Sequence, residues 1–176
     1  MTDWSQIVQQ HGPIVWKTVY RLLNNEADAA DCFQNTFVSA LKLSRAETVR
    51  NWPGLLKRLA TARALERLRQ RCRDAGRLAR MPEGFDAAGK TAAPIQLAQT
   101  TELAEHLRAA LADLDDRQAE VFCLACLEGC SYRQIASQLG LTISHVGVLL
   151  NRAKSGLRER LRAYAPNSVQ PLEHEP

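Results

Sequence analysis

Three cysteines, Cys123, Cys126 and Cys130, are the first residues in the sequence whose spacing suggests chemistry. Cysteine thiolates bind zinc and carry out redox exchange. A closed zinc site needs four ligands, and the two nearest histidines, His106 and His145, stand at no recognised spacing from the cysteines. The pattern therefore favours thiols packed in a protein core, and a thiol or zinc switch is kept as an alternative function. No metal or cofactor is predicted.

The element that must hold these thiols is a predicted helix from Arg117 to Glu128. At about 100° per residue, Cys123 and Cys126 lie within roughly 60° of each other on an α-helix. Apolar residues share this arc, so both thiols are predicted to be buried, as free cysteine often is. Gly129 is a suitable left-handed cap after the helix. The apolar neighbours in the arc are Ala119, Phe122 and Leu127.

The segment after Cys130 has the pattern of a helix-turn-helix. Ser131 and Gln134 form a capping box that starts a short helix, and Gly140 supplies the tight turn. An ordinary helical hairpin is the alternative, but small and turn residues fall where the motif needs them. The second helix continues into a basic stretch suited to phosphates. The predicted buried set is Ile135, Ala136, Leu139, Gly140, Leu141, Val146 and Leu149.

Apolar residues at helical spacing predict further helices, and no strand pattern competes with them. The first follows Pro13, read as a first-turn residue; others start near Glu26, near Pro53 and at Glu102. The stretch from Asp74 to about Thr100 lacks a sustained period and is read as a linker. The predicted fold class is all-α, with two small helical domains joined by a flexible linker and a helix-turn-helix in the second. The predicted boundaries are 1–75, linker 76–100, 101–165 and tail 166–176.

Charge is distributed in blocks along the chain. Residues 41–80 contain twelve Lys and Arg against three acids, a net +9, and residues 129–162 have a net +5. Residues 81–128 between them have a net −6. Two basic blocks suggest two polyanion-facing surfaces, and solvated helix faces are the alternative interpretation of each block. An enzyme is not expected, because the histidines are scattered and neither a glycine-rich phosphate loop nor paired carboxylates appear. With neither signal peptide nor apolar span, a cytoplasmic location is expected.

Three segments together resemble bacterial RNA polymerase sigma factors of the extracytoplasmic-function class of the sigma-70 family. The stretch "DAADCFQNTFVSAL" resembles the family's region 2.2, and "WPGLLKRLATARALERLRQRCR" resembles regions 2.3 to 2.4. The stretch "LDDRQAEVFCLACLEGCSYRQIASQLGLTISHVGVLLNRAKSGLRERL" resembles region 4. They occur in family order around a linker, and the match covers nearly the whole chain. The resemblance places the cysteines in the apolar helix before the helix-turn-helix.

The resemblance implies a non-enzymatic subunit that binds core RNA polymerase and directs promoter recognition and transcription initiation. The implied partners are the β′ clamp helices and β flap of core polymerase and promoter DNA, while an anti-sigma factor is left open. Docking on the clamp helices is implied for Asp28, Asp31, Gln34 and Asn35.

The resemblance also implies two DNA-binding surfaces. The segment Arg45–Trp52 matches the loop that captures a flipped base of the minus-10 element, and the following helix would hold phosphates. The second helix of the helix-turn-helix would enter the major groove of the minus-35 element. Implied minus-10 contacts are Arg45, Arg50, Lys57, Arg63, Arg67 and Arg71; implied minus-35 contacts are Arg133, Ser144, His145, Val148, Asn151, Arg152, Lys154 and Arg158.

The sequence departs from the family pattern at two places. Members often carry basic residues near the middle of the recognition helix, where this chain has Gly147, Val148 and Leu149, and Ala62 stands where many have Asn. The departures leave the distal promoter sequence open. The nearest alternative function is a helix-turn-helix regulator that never contacts polymerase, in which residues 1–75 form a sensor or dimer domain.

Overall fold

The computed structural model describes residues 3–79 and 95–164, with backbone only for 95–100, and within these ranges the chain is helical with no strand. The all-α fold class with a helix-turn-helix is confirmed. Most of the predicted linker and the whole predicted tail lie outside the described residues. The α-helices are α1 (Trp4–Leu23), α2 (Glu26–Ala46), α3 (Trp52–Leu78), α4 (Ile95–Ala112), α5 (Asp116–Phe122), α6 (Tyr132–Leu139) and α7 (Ile143–Leu161); a π-helical segment (Cys123–Leu127) follows α5, and a 3₁₀ turn (Arg162–Tyr164) follows α7.

Helix α1 begins nine residues before the predicted start at Pro13, so that prediction is wrong. The side chain of Asp3 caps the helix by accepting from Gln6 N at 3.2 Å, and burial of Ile7 anchors the added turns. Proline inside a helix leaves the carbonyl four residues earlier without its partner. Pro13 and Gln9 are both exposed, so water can hydrate that carbonyl.

Helices α1, α2 and α3 form the N-terminal bundle. Asparagine side chains cap α2 and α3: Asn25 accepts from Asp28 N and Asn51 from Gly54 N, each at 2.9 Å. Both helices begin where the sequence predicted, near Glu26 and Pro53. The core of this bundle consists of fully buried apolar side chains, among them Val15, Val19, Leu23, Leu56 and Leu65.

Helices α4 to α7, with the π-helical segment, form the C-terminal bundle. Helix α4 starts at Ile95, inside the stretch predicted as linker. A separate apolar cluster lies beneath the helix-turn-helix and joins it to α5 and the π-helical segment. Its main members are Val121, Leu124, Ile135, Val146, Leu149 and Leu150.

The two bundles pack on each other through a continuous apolar core. The cluster that fills the N-terminal bundle extends into α4, α5 and α7 through Leu111, Ala119 and Leu157. Polar contacts add to it, since Arg108 Nε donates to the carbonyl of Leu22 at 3.0 Å. Two small domains each bury limited apolar area alone, so a shared core stabilises both.

Cys126 is exposed, so the prediction that it is buried beside Cys123 is wrong. The reason is the π-helical segment, in which Glu128 N donates to the carbonyl of Cys123, five residues earlier, at 3.0 Å. A π-helical turn contains more residues than an α-helical turn, so each residue advances less than about 100° and Cys126 rotates out of the apolar arc. Cys123 stays in the core with 1% of its surface exposed, and Cys130 is buried against the segment's end.

Replacing Cys123 with Ala is expected to lower the free energy of unfolding by about 1 kcal/mol or more, because it leaves a cavity in the core. Cys126→Ala is the matched control, and its effect should stay within about 0.5 kcal/mol. Urea denaturation followed by circular dichroism measures both. Equal losses for the two variants would contradict the burial difference.

Candidate nucleic-acid interface

The helix-turn-helix is built by local hydrogen bonds that the sequence predicted. Ser131 Oγ accepts from Gln134 N at 3.2 Å, and Gln134 Oε1 accepts from Ser131 N at 2.8 Å, so the capping box is confirmed. Gly140 ends α6 with φ of 64°, a left-handed value that favours glycine. Thr142 then caps α7 by accepting from His145 N at 3.2 Å. These caps fix where α7 begins.

One face of α7 is packed and the opposite face is open. Val146, Leu149, Leu150, Ala153 and Leu157 are buried against the C-terminal bundle. The predicted base-reading residues all lie on the open side, and Val148 is 46% exposed, an apolar side chain available to a thymine methyl. The exposed predicted contacts on this helix are Ser144, His145, Val148, Asn151, Arg152 and Arg158.

The remaining predicted contacts of this surface lie at its margins. Lys154 is half-buried and borders an apolar groove with Leu107, Phe122 and Arg158. Arg133, in the first turn of α6, is exposed. The structure thus brings the predicted readers together on one open helix face and places cations beside it.

The predicted minus-10 cations of α3 all have protein partners. Lys57 Nζ donates to the backbone carbonyl of Glu128 in the C-terminal bundle at 3.0 Å. Arg63 donates to Glu66 Oε2 at 3.0 Å and to Ser39 Oγ at 3.1 Å, on the exposed surface. Arg63 therefore stays accessible, whereas Lys57 lies against the second bundle.

Arg67 and Arg71 join α3 to the other helices of the N-terminal bundle. Arg67 Nε and Nη2 donate to Asp28 Oδ1 at 2.8 and 2.6 Å. Arg71 Nη1 donates to the carbonyl of Leu23 at 2.8 Å, and its Nε lies 3.6 Å from Asp28 Oδ2. Both guanidinium groups are thus used inside the bundle, which the sequence pattern did not indicate.

The predicted polymerase-docking residues divide into two groups. Asp31, Gln34 and Asn35 are exposed on α2. Asp28 is only 7% exposed, and its carboxylate is engaged by Arg67 and Arg71. The open polar surface of α2 therefore consists of Asp31, Gln34 and Asn35 without Asp28.

The loop between α2 and α3 borders a cleft of about 250 Å³. Arg50 is exposed and lines it, while Arg45 is exposed on the last turn of α2. The other wall is α6, which contributes Ser137 and Gln138. The predicted base-capture loop thus faces the helix-turn-helix.

Contacts between the bundles include residues that the sequence analysis missed. Arg21 of α1 forms an ion pair with Glu128, whose side chain is 5% exposed, and Arg69 Nη1 lies 3.1 Å from Asp116 Oδ1. The pKa of Glu120 is raised by burial, which outweighs the opposing effect of Arg117 and Arg58. The sequence signal that could have indicated such ion pairs is the net charge of +9 in residues 41–80 followed by −6 in residues 81–128.

The buried thiols are protonated and unreactive. Burial is the main cause that raises the pKa of Cys123 to about 12 and that of Cys32 to about 11. A protonated thiol is a poor nucleophile and a poor metal ligand. Within residues 3–79 and 101–164, no three His, Cys, Asp or Glu side chains group as a metal site.

Two family models match the chain, in the order expected from the resemblance. Sigma-70 region 2 matches residues 7–74, and Sigma-70, region 4 matches residues 104–157. The chain belongs to the sigma-70 family. The two matches cover the N-terminal bundle and the helix-turn-helix, and they fall within the predicted domains 1–75 and 101–165, whose boundaries stay a prediction.

Similar proteins agree with this assignment. The ECF RNA polymerase sigma factor SigE of Mycolicibacterium smegmatis is 29% identical over 171 residues, which are 97% of this chain and 66% of that protein's length. The sigma factor RpoE from Bartonella quintana, solved in complex with the anti-sigma factor NepR, has a similar fold, with a TM-score of 0.54 and 21% identity over 92% of this chain and 98% of that chain. The predicted resemblance to extracytoplasmic-function sigma factors is confirmed.

Asp28→Asn is expected to destabilise the protein by about 1–3 kcal/mol, because it removes a charged acceptor shared by Arg67 and Arg71. Asp31→Asn, an exposed acid on the same helix, is the control and should change stability by less than about 0.5 kcal/mol. Thermal melts at neutral pH compare the two. A neutral outcome for Asp28→Asn would show that the ion pairs contribute nothing to folding.

Proposed function

We propose that this sigma-70 family protein is an extracytoplasmic-function sigma factor that binds core RNA polymerase and directs transcription initiation. The observation that carries the proposal is the occurrence of region 2 and region 4 in one chain. Within region 4, helix α7 has an exposed face with the predicted base-reading side chains. The protein is a non-enzymatic, cytoplasmic specificity subunit in this proposal. No helix of the described ranges has the length and apolar character to cross a bilayer.

Polymerase binding is assigned to the exposed polar surface of α2, and promoter contact to two surfaces. Asp31, Gln34 and Asn35 dock on the β′ clamp helices, and the C-terminal bundle meets the β flap. The loop after α2, with Lys57 and Arg63, engages the minus-10 element. Helix α7 reads the minus-35 element, with Asn151 suited to adenine and Val148 to a thymine methyl.

An anti-sigma factor is included as a partner in the proposal. The support is the similar RpoE structure, which was solved with the anti-sigma factor NepR.

Reconstitution tests the main function: purified protein and core polymerase should initiate transcription at promoters selected from genomic DNA. A stand-alone helix-turn-helix regulator would bind specific DNA without polymerase and would support no initiation.

Replacing both Asp31 and Gln34 with Ala should weaken capture of core polymerase without lowering the melting temperature, because exposed polar contacts add more to partner affinity than to folding. We expect a loss of about tenfold in affinity, corresponding to about 1.4 kcal/mol. The control replaces Gln10 and Asp74, an exposed amide and acid on α1 and α3. Unchanged capture by the test variant would remove this surface from the interface.

Asn151→Ala and Arg152→Ala should fail in different ways when the reconstituted holoenzyme binds promoter DNA. Removing Arg152 should weaken binding to all sequences and reduce the salt slope by about one counterion. Removing Asn151 should relax preference at particular minus-35 positions and leave the slope nearly unchanged. Binding to matched and scrambled duplexes across a salt series separates the two. The same slope change in both variants would contradict the division of roles.

A further inference from the structure

The open face of α7 includes one position without a side chain, Gly147. This glycine lies inside the helix and its φ is not positive, so the backbone does not require glycine there. An added Cβ would meet only Tyr132 Cε2, at 3.8 Å, which is an ordinary van der Waals contact. Because alanine is more favourable than glycine inside a helix, the fold gains no stability from the missing side chain. The space over Gly147 is therefore available to a partner outside the protein.

Tyr132, the first residue of α6, borders this space. Its ring lies beside Gly147, yet 43% of the residue is exposed. The Ser131 cap fixes where α6 begins and therefore where this ring stands relative to α7. The ring forms an apolar wall at the edge of the open face, and the sequence analysis did not include it.

The centre of the open face combines small, apolar and amide side chains. At about 100° per residue, Ser144, Val148 and Asn151 lie within roughly 60° of one another on α7, and all three are exposed. Gly147 lies roughly 40° further round the helix. Residues 141–151 contain neither Lys nor Arg. The part of α7 that would enter the groove first therefore lacks the side chains that bind guanine.

This composition matches A·T base pairs in the major groove. The commonest specific contact to guanine is a bidentate bond from Arg or Lys, whereas Asn suits adenine and apolar groups suit the C5-methyl of thymine. The N-terminal residues of a recognition helix make the base contacts, and the first helix crosses the phosphate backbone. Arg152 follows the base-reading residues, and Arg133 lies on that first helix. Both cations are therefore suited to phosphates, and Asn151 and Val148 to bases.

We propose that α7 selects a minus-35 element of consecutive A·T base pairs, and that Tyr132 and Gly147 determine this specificity. One thymine methyl packs on Val148, and a second enters the space over Gly147 against the Tyr132 ring. Asn151 donates to adenine N7 and accepts from its N6 amino group. The inference rests on the proposed sigma-factor function, because that function places α7 in the major groove.

Selection by the reconstituted holoenzyme from duplexes randomised in the minus-35 element tests the class of base pair. The position that Asn151→Ala relaxes locates α7 on the duplex. A·T pairs should predominate at that position and at the positions beside it. Selection of G·C pairs there by the wild-type holoenzyme would overturn the proposal.

Replacing thymine with uracil removes only the C5-methyl group and so measures each apolar contact. In the selected duplex, one uracil facing Val148 or Tyr132 should weaken holoenzyme binding about fourfold, the effect of about one buried methylene-sized group. Val148→Ala should abolish the uracil effect at one thymine, and Tyr132→Ala should abolish it at another. Tyr132→Phe keeps the ring and should retain the effect. Uracil effects that are equal in wild type and all three variants would contradict the assigned contacts.

Leu103→Ala is the matched control for removal of an exposed apolar side chain. Leu103 is 44% exposed and lies on α4, outside the helix-turn-helix. Its replacement should leave both the selected sequence and the uracil effects unchanged, and melting temperatures of all variants check that each remains folded. Loss of the uracil effects in this control as well would mean that they do not arise at α7, and the proposal would fail.

Gly147→Lys tests whether the space over Gly147 faces base edges. The added cation should shift the selected sequence towards guanine at the position that faced the Tyr132 ring. Gly147→Gln has a similar reach without the charge and should not select guanine. The wild-type preference in both variants would show that position 147 does not face the bases.

Transcription with core polymerase separates failure of this inference from failure of the proposed function. If the wild-type protein supports no initiation at any selected promoter, the sigma-factor function fails, and this inference fails with it. If the wild type initiates from promoters with G·C pairs under α7, or without any uracil effect, only the A·T specificity is wrong.

Discussion

The structure depends on α3, a single helix of 27 residues that both bundles use as a packing surface. Its apolar stripe, including Leu56, Leu65 and Leu68, belongs to a core that continues into α4 and α5. Helices of both bundles cover this apolar stripe. The basic residues beside it therefore lie close to carboxylates and backbone carbonyls of those helices and pair with them. Some of the positive charge in residues 41–80, which the sequence suggested would face DNA, therefore stabilises the fold instead.

Local signals in the sequence predicted local structure well. The Ser131 and Gln134 capping box and Gly140 act within a few residues, so their effect on the backbone is the same in any helix-turn-helix. The exposed face of α7 could be predicted in the same way, because it lies opposite the predicted buried residues Val146 and Leu149. Family motifs supplied the order of regions 2 and 4, and the matched residues agree with them.

Features that depend on partners distant in sequence were not predictable. Asp28 looked like a surface acid because nothing near it in the chain reveals Arg67 and Arg71, about forty residues later. Cys126 was placed by an α-helical period, whereas the chain follows a wider turn at that point. Pro13 suggested a helix start because its tolerance inside α1 depends on solvent exposure, which the sequence does not display.

The π-helical segment between α5 and α6 limits how the chain can vary in length. Its wide turn accommodates one more residue than an α-helical turn while keeping Cys123 in the core and bringing Glu128 to α3. Losing or gaining one residue there would rotate everything downstream by about 100° relative to α5. Neighbouring side chains can repack around substitutions in this stretch. The number of residues, in contrast, fixes the rotation of α7, the predicted DNA-reading helix, relative to the rest of the molecule.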